Sequence, residues 1–220
     1  MEIMLPTSGL VVRPGKLVCI GRNYAKHAAE MKSDVPENPV IFLKPSTSLV
    51  GQGGKVILPP MSREVHHEIE LVVAIGRGGK QIPINDALNH VDGYALGLDM
   101  TARDLQEQAK LKGLPWSISK GFDTFAPLGP LAKAHDVGDP QQLEFELRVN
   151  GEVRQKARTA DMIFSVAFLI SYCSSMFTLL PGDLIFTGTP DGVGPVVTGD
   201  LLEASSPKLP ELRVKVKRPA

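Results

Sequence analysis

Cysteine is scarce. With two in 220 residues, Cys19 and Cys173, the chain cannot carry a disulfide framework. It has no Cys-x-x-Cys and no cysteine–histidine spacing suited to zinc or redox work. Both cysteines lie in apolar segments and read as small buried hydrophobes. An excess of either charge is also missing: Lys plus Arg and Asp plus Glu number 24 each. No net field therefore recruits nucleic acid or an anionic membrane, and any charge chemistry must be local. No apolar run reaches bilayer length, the longest candidate being residues 162–173, which polar residues interrupt. The opening MEIMLPTSGLVVRPGK has no basic segment followed by an apolar stretch, so no secretory signal is expected and a cytoplasmic location is. No composition shift or low-complexity linker divides the chain, and one domain over 1–220 is expected.

What is present in quantity is glycine (21) and proline (18), without a period, in a chain that is 43% hydrophobic. That combination predicts many turns between short strands, and a mixed α/β, β-rich class. Strands are expected at 16–20, 40–43, 55–58, 69–75 and 94–98, where short apolar runs rich in β-branched residues sit between turn signals. Residues 143–149 alternate apolar and polar and meet Asn150-Gly151, the dipeptide whose positive φ suits a type I′ hairpin. Further strands are expected at 184–186, 201–202 and 212–216. Helices are fewer. One starts at Thr101 as N-cap, with Asp104 in its first turn and Gly113 ending it. A second, 161–174, places Met162, Val166, Leu169, Ile170 and Cys173 on one packing face. A third, 24–31, is short and polar, with His27 and Glu30 three apart on one side.

The segment His66-His67-Glu68-Ile69-Glu70-Leu71-Val72-Val73-Ala74-Ile75 carries the strongest chemical signal. Alternation puts Glu68, Glu70, Val72 and Ala74 on one face and Ile69, Leu71, Val73 and Ile75 on the other. Both faces are apolar beyond residue 70, so the two glutamates lead straight into buried surface, and unpaired carboxylates there would cost several kcal/mol or become protonated. A cationic partner is expected. Asp99 ends the run 94–98 just before a helix, where it could either cap that helix or act as a third ligand. Three oxygen donors and no soft ligand suit Mg²⁺ or Mn²⁺ and leave coordination positions open. In the His27–Glu30 pair the carboxylate would orient the imidazole and raise its basicity, although such pairs also occur on solvated helix faces. Lys120 follows the lone tryptophan, Trp116, in a mainly apolar segment. It could donate to a developing oxyanion or snorkel to the surface.

Taken together and in order, these motifs resemble the fumarylacetoacetate hydrolase family, in its short, single-domain branch of acylpyruvase and oxaloacetate decarboxylase type. The resemblance runs from Gly21-Arg22-Asn23-Tyr24, with His27 and Glu30, through Phe42-Leu43-Lys44-Pro45 and His67-Glu68-x-Glu70-Leu71 to Leu98-Asp99-Met100-Thr101-Ala102-Arg103-Asp104. It continues through Lys120 and Asn150-Gly151 to Thr187-Gly188-Thr189-Pro190 and Gly192-Val193-Gly194. It implies a mixed β-roll with a few helices, usually a homodimer. It also implies Glu68, Glu70 and Asp99 as ligands of Mg²⁺ or Mn²⁺, His27 and Glu30 as a water-activating dyad, and Lys120 as the group that polarises substrate. Arg22, Arg103, Gln106 and Thr189 are implied as substrate contacts. The expected activity is metal-dependent C–C hydrolysis of acylpyruvate-type 2,4-dioxo acids to pyruvate and a carboxylic acid. Oxaloacetate decarboxylation and keto–enol or dienoic isomerisation at the same site are the alternatives. A metal-stabilised binding protein without turnover is the reading from a different class.

Overall fold

Alternation along the Ile69–Ile75 strand sets the layering of the molecule. The computed structural model describes residues 1–31 and 34–219. All seven residues of this strand are buried. Ile69, Leu71, Val73 and Ile75 enter one apolar cluster with Leu147, Leu202, Leu212 and Val214. Val72 and Ala74 enter a second with Leu17, Cys19, Leu184 and Phe186. A strand buried on both sides belongs at the centre of a sheet. Here it lies third in a six-stranded sheet ordered Ala132–Lys133, Val91–Leu98, Ile69–Ile75, Leu184–Phe186, Leu17–Gly21 and Val40–Lys44. The pairing of Leu184–Phe186 with Leu17–Gly21 is parallel and the other pairings are antiparallel.

A five-stranded sheet packs on the larger cluster, in the order Glu152–Arg158, Glu144–Val149, Leu201–Ser206, Leu209–Lys217 and Lys55–Ile57. Its first two strands form the hairpin expected at Asn150-Gly151, where φ is 53° and 84°. The asparagine side chain also accepts from the Leu201 N–H and donates to Asp200. The β-rich, mixed α/β class is as the composition predicts. Both cysteines are buried and unpaired, and burial pushes the Cys173 thiol up to about 12. Among the described residues no helix is long and apolar enough to cross a membrane.

Two helix boundaries depart from expectation. The Arg103–Leu111 helix has Ala102 at its N-cap position. Thr101 instead pairs with His66 in a small three-stranded sheet of Thr101–Ala102, Val65–His67 and Gly194–Pro195, and its hydroxyl donates to the Asp99 carbonyl. That pairing keeps Thr101 extended and frees Asp99 from capping. The second helix spans Val166–Met176 and is capped by Ser165, whose hydroxyl accepts from the Phe168 N–H. Residues 159–161 form a separate 3-10 turn. The short polar helix is Ala25–Glu30.

Candidate active site

The sheet itself assembles the three acids. Ile69 pairs with Leu98 and Glu70 with Gly97, and residues directly opposite in an antiparallel pair project to the same face. The Asp99 N–H donates to the Glu68 carbonyl (2.8 Å), extending the ladder by one step. Glu68, Glu70 and Asp99 therefore share a face, and one oxygen from each lies within 4.8 Å of the other two. All three residues are buried. Glu70 accepts from the Gly188 N–H at 2.7 Å. Gly188 has φ +97°, and a Cβ there would sit 2.6 Å from the Asn23 Cβ, so glycine is what lets this backbone approach the carboxylate.

The expected cationic partners are present. The buried Lys120 ammonium lies 2.8 Å from Glu68 Oε2 and 2.6 Å from Asp99 Oδ2. The Arg103 guanidinium bonds Glu68 Oε1 and donates to Gln106 Oε1 at 2.6 Å. A third cation, Lys44, was not singled out from the sequence. Its Nζ lies 2.7 Å from Asp99 Oδ1, yet its three protons go to the carbonyls of Met100, Lys120 and Phe125. Asp99 Oδ1 thus feels a positive charge but receives no hydrogen bond among the described residues. The signal for Lys44 was a lysine ending an apolar strand. Its burial depends on carbonyls 56 to 81 residues away, which local pattern does not reveal.

The carboxylates are not electrostatically equivalent. Burial opposes the Glu68 charge, but Lys120, Arg103 and His27 outweigh it and hold that carboxyl below the ordinary range. Burial pushes Glu70 up, and the neighbouring Asp99 and Glu68 push the same way. Burial also works against the Lys120 charge, but Asp99 and Glu68 reverse the sign and raise it. An all-oxygen donor set and, among the described residues, a carboxylate oxygen without a donor and a glutamate with no cation bonded to it fit a hard divalent cation.

His27 and Glu30 stand beside this cluster. His27 is 5% exposed, so it does not lie on a solvated helix face. Its Nδ1 is 3.2 Å from Glu30 Oε2, and Nε2 has no hydrogen-bond partner among the described residues. Glu30 is held from the far side by the Gly192 N–H, at 3.0 and 3.3 Å from its two oxygens. His27, the three acids and Lys120 all line a cavity of about 230 Å³, together with Arg22, Arg103, Gln106 and Thr189.

The sequence-predicted contacts are not equally free to meet a ligand. Thr189 donates its hydroxyl proton to the Ile69 carbonyl (2.8 Å) and accepts from Gln155 Nε2 (2.9 Å). Its hydroxyl therefore has no proton to give a ligand. Arg103 is paired with Glu68 and Gln106. Arg22 is different: it has φ 59° and, among the described residues, no carboxylate partner and no hydrogen bond to its buried Nε. Lys110 also lines the cavity, with its ammonium 5.6 Å from the Trp116 ring centroid and no carboxylate partner among the described residues. Burial lowers its pKa, as does the nearby Arg103. The sequence did carry a signal for Lys110, since Arg103, Gln106 and Lys110 are three and four residues apart and share one helix face.

The family profile described as fumarylacetoacetate (FAA) hydrolase C-terminal matches residues 16–217. The mitochondrial oxaloacetate tautomerase FAHD1 of Mus musculus is 49% identical over 202 residues, covering 92% of this chain and 91% of its own. The crystal structure of fumarylpyruvate hydrolase from Pseudomonas aeruginosa, in complex with Mn²⁺ and pyruvate, superposes with a TM-score of 0.94 at 43% identity, covering 100% of this chain and 96% of that one. The 5-carboxymethyl-2-hydroxymuconate delta-isomerase from Mycobacterium smegmatis superposes with a TM-score of 0.85 at 41% identity, covering 95% and 81%.

Proposed function

The chain belongs to the fumarylacetoacetate hydrolase family, and from that premise we propose that it is a divalent-metal-dependent enzyme that interconverts the keto and enol forms of oxaloacetate. The observation that carries this reading is one cavity lined by three kinds of group: the acidic trio, His27 with Glu30 bonded behind it, and two cations, Arg22 and Lys110, without carboxylate partners among the described residues. A 2-oxo acid needs the first two, and a second carboxylate on the substrate suits the third. Oxaloacetate has both ends and is small enough for about 230 Å³. The similarity to an oxaloacetate tautomerase points the same way.

Glu68, Glu70 and Asp99 would hold the cation, which when bound would withdraw electron density from the 2-oxo group and make the adjacent C3 proton more acidic. His27 takes that proton on Nε2, and Glu30 stabilises the imidazolium while it lasts. Returning the proton to the substrate oxygen completes the tautomerisation: a C3–H bond is broken, an O–H bond is made, and no carbon–carbon bond is cleaved. Lys120 donates a hydrogen bond to the oxygen that gains charge. Arg22 and Lys110 fix the distal carboxylate and so aim C3 at His27.

A second reaction, C–C hydrolysis of acylpyruvates, is favoured by the similarity over the whole chain to a fumarylpyruvate hydrolase. In that reaction His27 takes its proton from water, and the pyruvate enolate leaves. Lys110→Ala tests the dicarboxylate reading. The KM for oxaloacetate is expected to rise roughly tenfold through loss of one charge-assisted contact, while acetylpyruvate, which lacks the distal carboxylate, keeps its KM. An equal effect on both substrates would remove the distal-carboxylate role.

A further inference from the structure

Gln155 belongs to the Glu152–Arg158 strand of the five-stranded sheet, none of whose residues lines the cavity. It is nevertheless 1% exposed and occupies a core-facing position of its strand. A buried carboxamide must find partners for two protons and two lone pairs, and Gln155 finds all four. Its Oε1 accepts from the Ile69 N–H at 3.0 Å and lies 2.9 Å from His67 Nδ1. Its Nε2 donates to Thr189 Oγ1 at 2.9 Å and to the Pro190 carbonyl at 3.0 Å. The amide orientation is fixed chemically, because the Ile69 N–H can only donate and the Pro190 carbonyl can only accept. It follows that His67 carries its proton on Nδ1.

These four partners lie in two segments. Ile69 is the residue between Glu68 and Glu70, at the interruption separating the Val65–His67 and Ile69–Ile75 strands. Gln155 accepts from its N–H, and Thr189, held by Gln155, donates to its carbonyl. The other segment, residues 187–192, holds Glu70 through the Gly188 N–H and Glu30 through the Gly192 N–H. One side chain from the second sheet thus ties the backbone carrying two of the acids to the loop that holds the base pair.

We propose that Gln155 is a positioning residue that sets the spacing between the acidic trio and the His27–Glu30 pair, acting through the Ile69 backbone and the 187–192 loop. This rests on the metal reading of the trio, so Mn²⁺ binding by the wild-type protein is measured first, by titration calorimetry. No binding by wild type would defeat that reading and this proposal with it. Gln155→Met fills the same volume and removes every hydrogen bond. Gln155→Asn is one methylene shorter and cannot reach both segments, and it serves if the methionine variant does not fold. Leu147→Ala, on the adjacent strand, is the control for plain loss of stability. Either Gln155 variant is expected to weaken Mn²⁺ binding by about 10- to 100-fold and to lower kcat at saturating Mn²⁺, whereas Leu147→Ala lowers only the melting temperature. Gln155 variants that lose stability as Leu147→Ala does, with wild-type Mn²⁺ affinity and kcat, would overturn the proposal and leave the metal reading standing.

Discussion

Glu70→Gln is expected to give a folded protein that has lost its response to divalent metal. The amide has the same shape as the carboxyl, and its carbonyl oxygen can still accept from the Gly188 N–H, 2.7 Å from Glu70 Oε2. Unlike Glu68 and Asp99, Glu70 has no lysine or arginine bonded to it among the described residues, so the substitution strands no buried cation among them. The variant without metal should therefore unfold near the wild-type temperature. With metal the two proteins should part. Mn²⁺ at 100 times its Kd stabilises a protein that binds it only when folded by about 2.7 kcal/mol, and the variant should show little of this. Losing one of three charged oxygen ligands should weaken Mn²⁺ binding by about 100-fold or more and reduce turnover accordingly. Differential scanning calorimetry with and without Mn²⁺ separates the two effects. An equal Mn²⁺-induced shift in both proteins would remove Glu70 from the ligand set.

His27→Ala should leave metal binding intact and lower kcat/KM by about 100-fold or more, the usual contribution of a positioned general base. The ring is buried, with Nδ1 held by Glu30, so the free nitrogen is presented in one orientation. Glu30→Gln should fall between this variant and wild type, since it keeps a hydrogen-bond acceptor for Nδ1 and removes the charge that stabilises the imidazolium. Steady-state kinetics on oxaloacetate and acetylpyruvate, beside Mn²⁺ titration of each variant, checks both. Wild-type kcat/KM in His27→Ala would mean that the proton moves by another route.

The parts of the site that could be read from sequence are those that depend on near neighbours. Two glutamates alternating into an apolar strand announced a buried acidic pair, and the strand end at Asp99 supplied a third acid. Asn150-Gly151 specified its own hairpin through the positive φ it tolerates. What could not be read depends on partners far along the chain. Lys44 is buried because three carbonyls and Asp99 meet at its ammonium. Gln155 is buried because segments near residues 69 and 189 converge on it. Thr101 has the composition of a helix cap, but its pairing with His66 prevails over that local preference. Arg22 follows from the resemblance, but its lack of a carboxylate partner among the described residues depends on how its neighbours are placed.

The most direct test of the account follows the keto–enol exchange of oxaloacetate by ultraviolet absorbance, with purified protein and Mn²⁺, against buffer containing the same Mn²⁺. Exchange faster than in that buffer, abolished by a chelator and by Glu70→Gln, is the predicted result. Exchange no faster than in Mn²⁺ buffer, with no pyruvate formed from acetylpyruvate or fumarylpyruvate, would contradict it.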